Sequence, residues 1–223
     1  MEVSMFLFVA ATILLTWLVF MPIHFRSKSP ERRAAQHVSK VLPTMLAAGF
    51  AAYGCFAAHN SSDYAMLIFA GLCVCTLADL MIGIRFEVGG ALFFCGHLLY
   101  IAALGLYGLL SWWSLAVFAA AFVLMHLFLS HYRKQVPGKL ISLGLSVYAA
   151  ALAALLGFSL PLPFAACTQA TVLAALGSAL FVVSDLTLCH NMLRDKPPAW
   201  QYVSLGIYYT AQLLLGLSTL PAL

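Results

Sequence analysis

The chain has 223 residues, 64% of them hydrophobic and only 8% charged, with a net charge of +4, whereas an ordinary soluble domain carries about 25% charged residues. Apolar segments recur from end to end and no hydrophilic stretch is long enough to fold alone, so a soluble module is excluded and residues 1–223 read as one integral membrane domain. The positive excess does not call for nucleic acid, because the placement of the basic residues explains it.

Residues 3–20 form an apolar run with no basic segment before it and no small-residue cleavage site after it, which reads as a retained first span rather than a signal peptide. A polar stretch at 24–33 follows, dense in positive charge, and then a short amphipathic turn up to Lys40. Seven more spans are predicted at 41–58, 64–84, 89–110, 112–130, 140–158, 164–190 and 202–220. Each is near the roughly 20 residues that cross about 30 Å of hydrocarbon. Turn signals separate them at 59–63, 136–139, 160–163 and 196–198. The predicted fold class is therefore all-α, a polytopic bundle of eight transmembrane helices.

The charges test that count. Every Lys and Arg falls in an odd-numbered connection: Arg26, Lys28, Arg32, Arg33 and Lys40 in the first, Arg85 in the third, Arg133, Lys134 and Lys139 in the fifth, Arg194 and Lys196 in the seventh. By the positive-inside rule these loops face the cytoplasm and both termini face out. Trp112 and Trp113 at one boundary and Trp200 at another fit the aromatic belt. The expected location is a multi-pass membrane protein, and the short termini and bare loops fit a bacterial inner membrane. The six cysteines lie in apolar segments without paired or metal-ligand spacing, and read as reduced core residues.

Two acids interrupt this pattern. Asp79 lies six residues before Arg85 and Asp185 nine before Arg194, roughly 9 and 13 Å inside the cytoplasmic ends of the third and seventh spans at 1.5 Å per residue. An ionised side chain in a span costs about 2.5–3.5 kcal/mol on insertion scales, and such residues face a bundle interior or a watery cavity. A structural role, each Asp simply bonding a neighbouring helix, is the plain alternative. Matched depth favours function. Both spans run in one direction, each followed by a short turn and a polar return helix, which hints at a parallel four-plus-four repeat that sets the acids across a central cavity.

The return helices carry His97 and Tyr100 on one face, and Tyr208, Tyr209 and Gln212, with Tyr208 and Gln212 four apart. Lys40, at the start of the second span, is placed to meet a lipid phosphate as well as to serve as a positive-inside charge. Tyr148 in the sixth span is a further candidate for the cavity lining. No Walker loop, GxSxG elbow, HExxH or paired CxxC is present, which removes the common nucleotide, serine-hydrolase and zinc readings.

These residues fall in blocks that resemble the signatures of the lysoplasmalogenase family: Lys40-Val41-Leu42-Pro43; Ala78-Asp79-Leu80 with Phe86 and Gly89 or Gly90; His97-Leu98-Leu99-Tyr100; Ser184-Asp185-Leu186-Thr187 with Asn191; and Tyr208-Tyr209-Thr210-Ala211-Gln212. The likeness covers almost the whole chain, with Ala78 where the family often has Gly. It implies hydrolysis of the vinyl ether bond of lysoplasmalogens to a fatty aldehyde and glycerophosphoethanolamine or glycerophosphocholine, without a cofactor or metal. Such a reaction proceeds by protonation of the vinyl carbon and capture of an oxocarbenium ion by water, which calls for one protonated acid and one carboxylate. On this reading Asp79 and Asp185 are catalytic, acid and base unassigned, and Lys40, His97, Tyr100, Tyr148, Asn191, Tyr208, Tyr209 and Gln212 bind substrate. The expected partners are the bilayer and a lysophospholipid, with the chain a monomer or homodimer and the site toward the cytoplasm. The alternative from a different class is a proton-coupled transporter of a small or lipid-like substrate, since two buried acids and a His also suit a proton relay. A structural lipid-binding protein is a third.

Overall fold

A computed structural model describes residues 3–26, 33–57, 62–106, 111–132, 138–194 and 198–220, and these are helical apart from short turns. Helix α1 (Val3–Leu15) passes through a π-helical turn, Thr16–Phe20, into α2 (Met21–Arg26) without a break. Helix α3 spans Arg33–Ala52 and closes on a second π-turn, Tyr53–Ala57. There follow α4 (Asp63–Ile82), α5 (Phe86–Gly105), α6 (Trp112–His131), α7 (Lys139–Ser159), the single turn α8 (Leu162–Ala165), α9 (Gln169–Arg194) and α10 (Pro198–Leu217). Five stretches among the described residues are long and apolar enough to cross a membrane: α4, α5, α6, α9 and Ile141–Ala165, which runs from α7 through α8. The protein is a multi-pass, all-helical membrane protein.

Several boundaries differ from the sequence reading. The amphipathic turn expected before Lys40 is part of α3, which continues through Lys40 and Pro43. Proline deletes one backbone donor, and neighbouring helices let a membrane helix tolerate that loss. The seventh predicted span loses its start to α8, because Pro161 and Pro163 favour a separate first turn, and it extends instead to Arg194. Cys95 and Cys167 are exposed rather than core; a small thiol sits on an apolar outer face as readily as inside. Lys28, Arg32, Arg133, Lys134 and Lys196, with the turn signals at 59–61, 136–137 and 196–197, lie outside the described residues.

Local chemistry explains the helix ends. Ser62 and Ser111 cap α4 and α6, their hydroxyls accepting from the Ala65 and Ser114 backbone N–H at 3.3 and 3.2 Å. Gly138 precedes α7 at φ 82°, where a side chain would be strained. The link from α4 to α5 is a tight turn at 83–85, and Gly89 lets the two helices close: a Cβ there would lie 2.6 Å from Ile82 Cα.

Five helices close a ring: α4 packs on α5, α5 on α7, α7 on α9, α9 on α10, and α10 on α4. Helix α3 wedges against both α4 and α10, α2 leans on α3, and α6 lies outside against α7. Hydrocarbon around the bundle removes the usual hydrophobic drive, so association rests on close packing and interhelical polar contacts. Gly216 shows the first, since a Cβ there would sit 2.4 Å from the Ala47 carbonyl oxygen. Helix α6 presents Trp112, Trp113, Val123, Leu124 and Leu127 outward, as a lipid-facing helix does. The ring leaves α4 and α9, the helices of the two acids, facing each other across its interior.

Candidate active site

Asp79 lies in the last turns of α4, 2% exposed. Two hydroxyls donate to its Oδ2: Thr44 of α3 at 2.6 Å and Tyr208 of α10 at 2.9 Å. Behind Tyr208 the donors line up in one direction. Gln212 Nε2 donates to the Tyr208 hydroxyl at 3.0 Å, and the Tyr100 hydroxyl of α5 donates to Gln212 Oε1 at 2.7 Å. Tyr208 and Gln212 meet because they are four apart on α10. Every bond in the series points its hydrogen toward Asp79, an arrangement that suits an ionised carboxylate and in which each bond polarises the next.

Asp185 sits in the middle of α9 with its side chain 12% exposed. Its Oδ2 accepts from the Tyr148 hydroxyl of α7 at 2.6 Å and lies 3.5 Å from His97 Nε2 of α5. His97 is fully buried, its ring edge-on to Phe181 and Tyr148. Its Nδ1 is 2.6 Å from the Phe93 carbonyl oxygen, an obligate acceptor, which assigns the Nδ1 hydrogen. In the neutral ring Nε2 is then an acceptor facing a carboxyl oxygen. Two lone pairs opposed in a buried site repel unless a proton resides on one of them, so this geometry favours a proton held by the His97–Asp185 pair.

The two acids line one cavity of about 320 Å³, together with Lys40, Ser184, Asn191, Gln201, Ser204 and Tyr208. Ser184 and Ser204 clamp its α9–α10 wall, each hydroxyl donating to the other residue's carbonyl at 3.2 Å. Among the described residues no group of three or more His, Cys, Asp or Glu forms a metal cluster.

The residues named from sequence divide accordingly. Asp79, Asp185, Lys40, Asn191 and Tyr208 line this cavity, and His97 and Tyr148 contact Asp185. Tyr100 and Gln212 stand behind the wall and act through Tyr208. Tyr209 reaches neither acid: its hydroxyl donates to the Lys40 backbone carbonyl at 2.7 Å, tying α10 to α3. Asn191 donates to the Trp200 carbonyl at 3.1 Å, tying the end of α9 to the start of α10. Sequence reading missed Thr44, although it stands four residues after Lys40 and so on the same helical face. It also missed the reciprocal serine clamp, which pairs residues twenty apart and leaves no local signal.

A family model described as the YhhN family matches residues 35–219. No curated protein and no solved structure matches the chain.

Proposed function

The chain belongs to the YhhN family, the lysoplasmalogenase family, and from that premise we propose that it hydrolyses the vinyl ether bond of lysoplasmalogens, with Asp185 as the acid and Asp79 as the carboxylate. The observation that carries the assignment is the unlike company of two acids on one cavity. Asp79 has two hydroxyl donors on Oδ2, whereas Asp185 has one, Tyr148, and faces a histidine nitrogen across 3.5 Å, which favours a proton on that pair.

The reaction follows from that asymmetry. Asp185 gives its proton to the vinyl β-carbon, and the α-carbon becomes an oxocarbenium ion held by the Asp79 charge. Water adds to the α-carbon and its proton passes to Asp79, giving a hemiacetal. Collapse of the hemiacetal sends the proton from Asp79 to the departing glycerol oxygen while the hemiacetal hydroxyl returns a proton to Asp185. One water is consumed, an aldehyde and a glycerol hydroxyl are released, and both acids recover their starting states. General acid–base assistance of this kind is worth about 10²–10⁴-fold per group.

The finer topology belongs to the same proposal: eight spans, both termini outside, and the site toward the cytoplasm of a bacterial inner membrane. Segregation of Lys and Arg into alternate connections supports it. The packing partners support the internal repeat, since α4 on α5, α3 on α4 and α3 on α10 have counterparts in α9 on α10, α7 on α9 and α7 on α5.

The test is incubation of the purified protein in detergent with a synthetic lysoplasmalogen, reading free aldehyde. Release that falls at least about 10²-fold in Asp185→Asn is expected; no aldehyde from the folded wild-type protein overturns the proposal.

A further inference from the structure

The space at the two acids has two compartments of opposite character. The cavity around Asp79 carries the polar groups already described. The second, about 500 Å³, is bounded by α5, α6, α7 and α9 and walled largely by aliphatic side chains such as Met125, Leu129, Leu145 and Leu152. Its polar side chains are Glu87, Tyr148 and Asp185. Ile82, Phe86, Phe93, Asp185, Leu188 and Met192 line both compartments, so the two adjoin, and Asp185 is the acid common to them.

We propose that this is a split lipid site, in which the apolar compartment takes the hydrocarbon chain of a single-chain glycerophospholipid and the polar compartment takes its phosphate-bearing head group. This rests on the hydrolase reading above for the bond that is cut, and on the cavities for how the lipid lies. Three observations carry it. Lys40 lines the polar compartment, where a fixed cation meets a phosphate. A methylene fills about the volume of a water, roughly 30 Å³, so the apolar compartment has room for on the order of fifteen carbons. The vinyl β-carbon is the first atom of the chain beyond the reacting α-carbon, and this orientation directs it to the apolar side, which Asp185 faces and Asp79 does not line.

The lipid enters from hydrocarbon, so lengthening the chain gains little and the compartment acts as an upper limit on length. Gly90 of α5 and Gly144 of α7 set that limit. Both line the apolar compartment, and a Cβ built on either meets nothing within 4 Å. A larger side chain there occupies the cavity without striking the backbone, and leaving glycine favours the helix.

The experiment uses alkyl-ether lysophosphatidylethanolamines, which have no vinyl group to cleave, with decyl and tetradecyl chains. Their competition against a fluorescent lysolipid is measured on detergent-purified wild type, Gly144→Phe and Gly90→Leu. Referring each variant's tetradecyl-to-decyl affinity ratio to wild type cancels the preference of the chains for the micelle. The ratio is expected to fall about ten-fold or more in both variants. It is expected to be unchanged in Gly105→Leu, which adds bulk to α5 at a position that lines neither compartment and also meets nothing within 4 Å. An unmoved ratio in both folded cavity variants overturns the assignment. Wild type that releases no aldehyde while the ratio shifts as stated sinks the hydrolase reading and leaves the split site standing.

Discussion

Replacing Tyr148 by Phe removes one hydroxyl and leaves the ring that packs on His97 and Phe94 at 5.3 and 6.3 Å. The only hydrogen bond described for that hydroxyl is the 2.6 Å donation to Asp185 Oδ2. While Asp185 holds its proton this is a bond between neutral groups, worth about 0.5–1.5 kcal/mol net; as the proton leaves, the acceptor becomes a carboxylate and the bond is worth about 1.5–3 kcal/mol. The difference, about 1–1.5 kcal/mol, is gained only as the transition state forms, and corresponds to roughly five- to ten-fold in rate. Tyr148→Phe should therefore lower kcat by that factor with KM nearly unchanged. Steady-state aldehyde release across substrate concentration separates the two, and the thermal unfolding midpoint in detergent should move little. In an Asp185→Asn background the same substitution should change nothing further, because the developing charge is gone. A loss confined to KM, or an equal loss in both backgrounds, would refute Asp185 as the proton donor.

Asp79→Asn and Asp185→Asn should each lower kcat at least about 10²-fold, with circular dichroism and gel filtration unchanged, since the amide keeps the shape and one acceptor oxygen. Tyr208→Phe removes the acceptor of Gln212 Nε2 as well as a donor to Asp79; it should cost about 1–3 kcal/mol of stability for the orphaned buried amide, read by denaturant or thermal unfolding alongside lost turnover. Gly89→Ala forces a Cβ to within 2.6 Å of Ile82 Cα; overpacking of about 1–3 kcal/mol should appear as a lower unfolding midpoint, whereas Gly90→Ala, in open space, should leave it near wild type.

Much of this site was legible because a membrane makes polar residues conspicuous. Asp79 and Asp185 stand out in apolar runs for an energetic reason, and the four-residue spacing of Tyr208 and Gln212 follows from helix geometry. What the linear order could not supply were contacts set by helix rotation and distance. Tyr209, adjacent to Tyr208, points about 100° away on the helix and meets a backbone carbonyl of α3 instead of an acid. Thr44 gives no signal in the sequence because a lone Thr in a span usually bonds its own helix, as Thr76 and Thr187 do here. The glycines at 89–90 form one block in the sequence, yet Gly89 serves helix contact and Gly90 opens on a cavity. The start of α3 is not legible because the charged segment before Lys40 hides helical continuity behind a loop-like composition.

The donor series ending on Asp79 also bears on how the bundle assembles. It joins α3 through Thr44, α5 through Tyr100, and α10 through Tyr208 and Gln212 to a single oxygen on α4. In hydrocarbon, apolar faces discriminate poorly between one rotation of a helix and the next, and interhelical polar contacts do more of the choosing. Turning any of these four helices by one residue would break its bond in the series and strand a donor or acceptor in a dry interior. The aspartate proposed to steady a cation is thus also the register mark by which four helices find their mutual alignment, so that the instructions for assembly and for chemistry share the same residues.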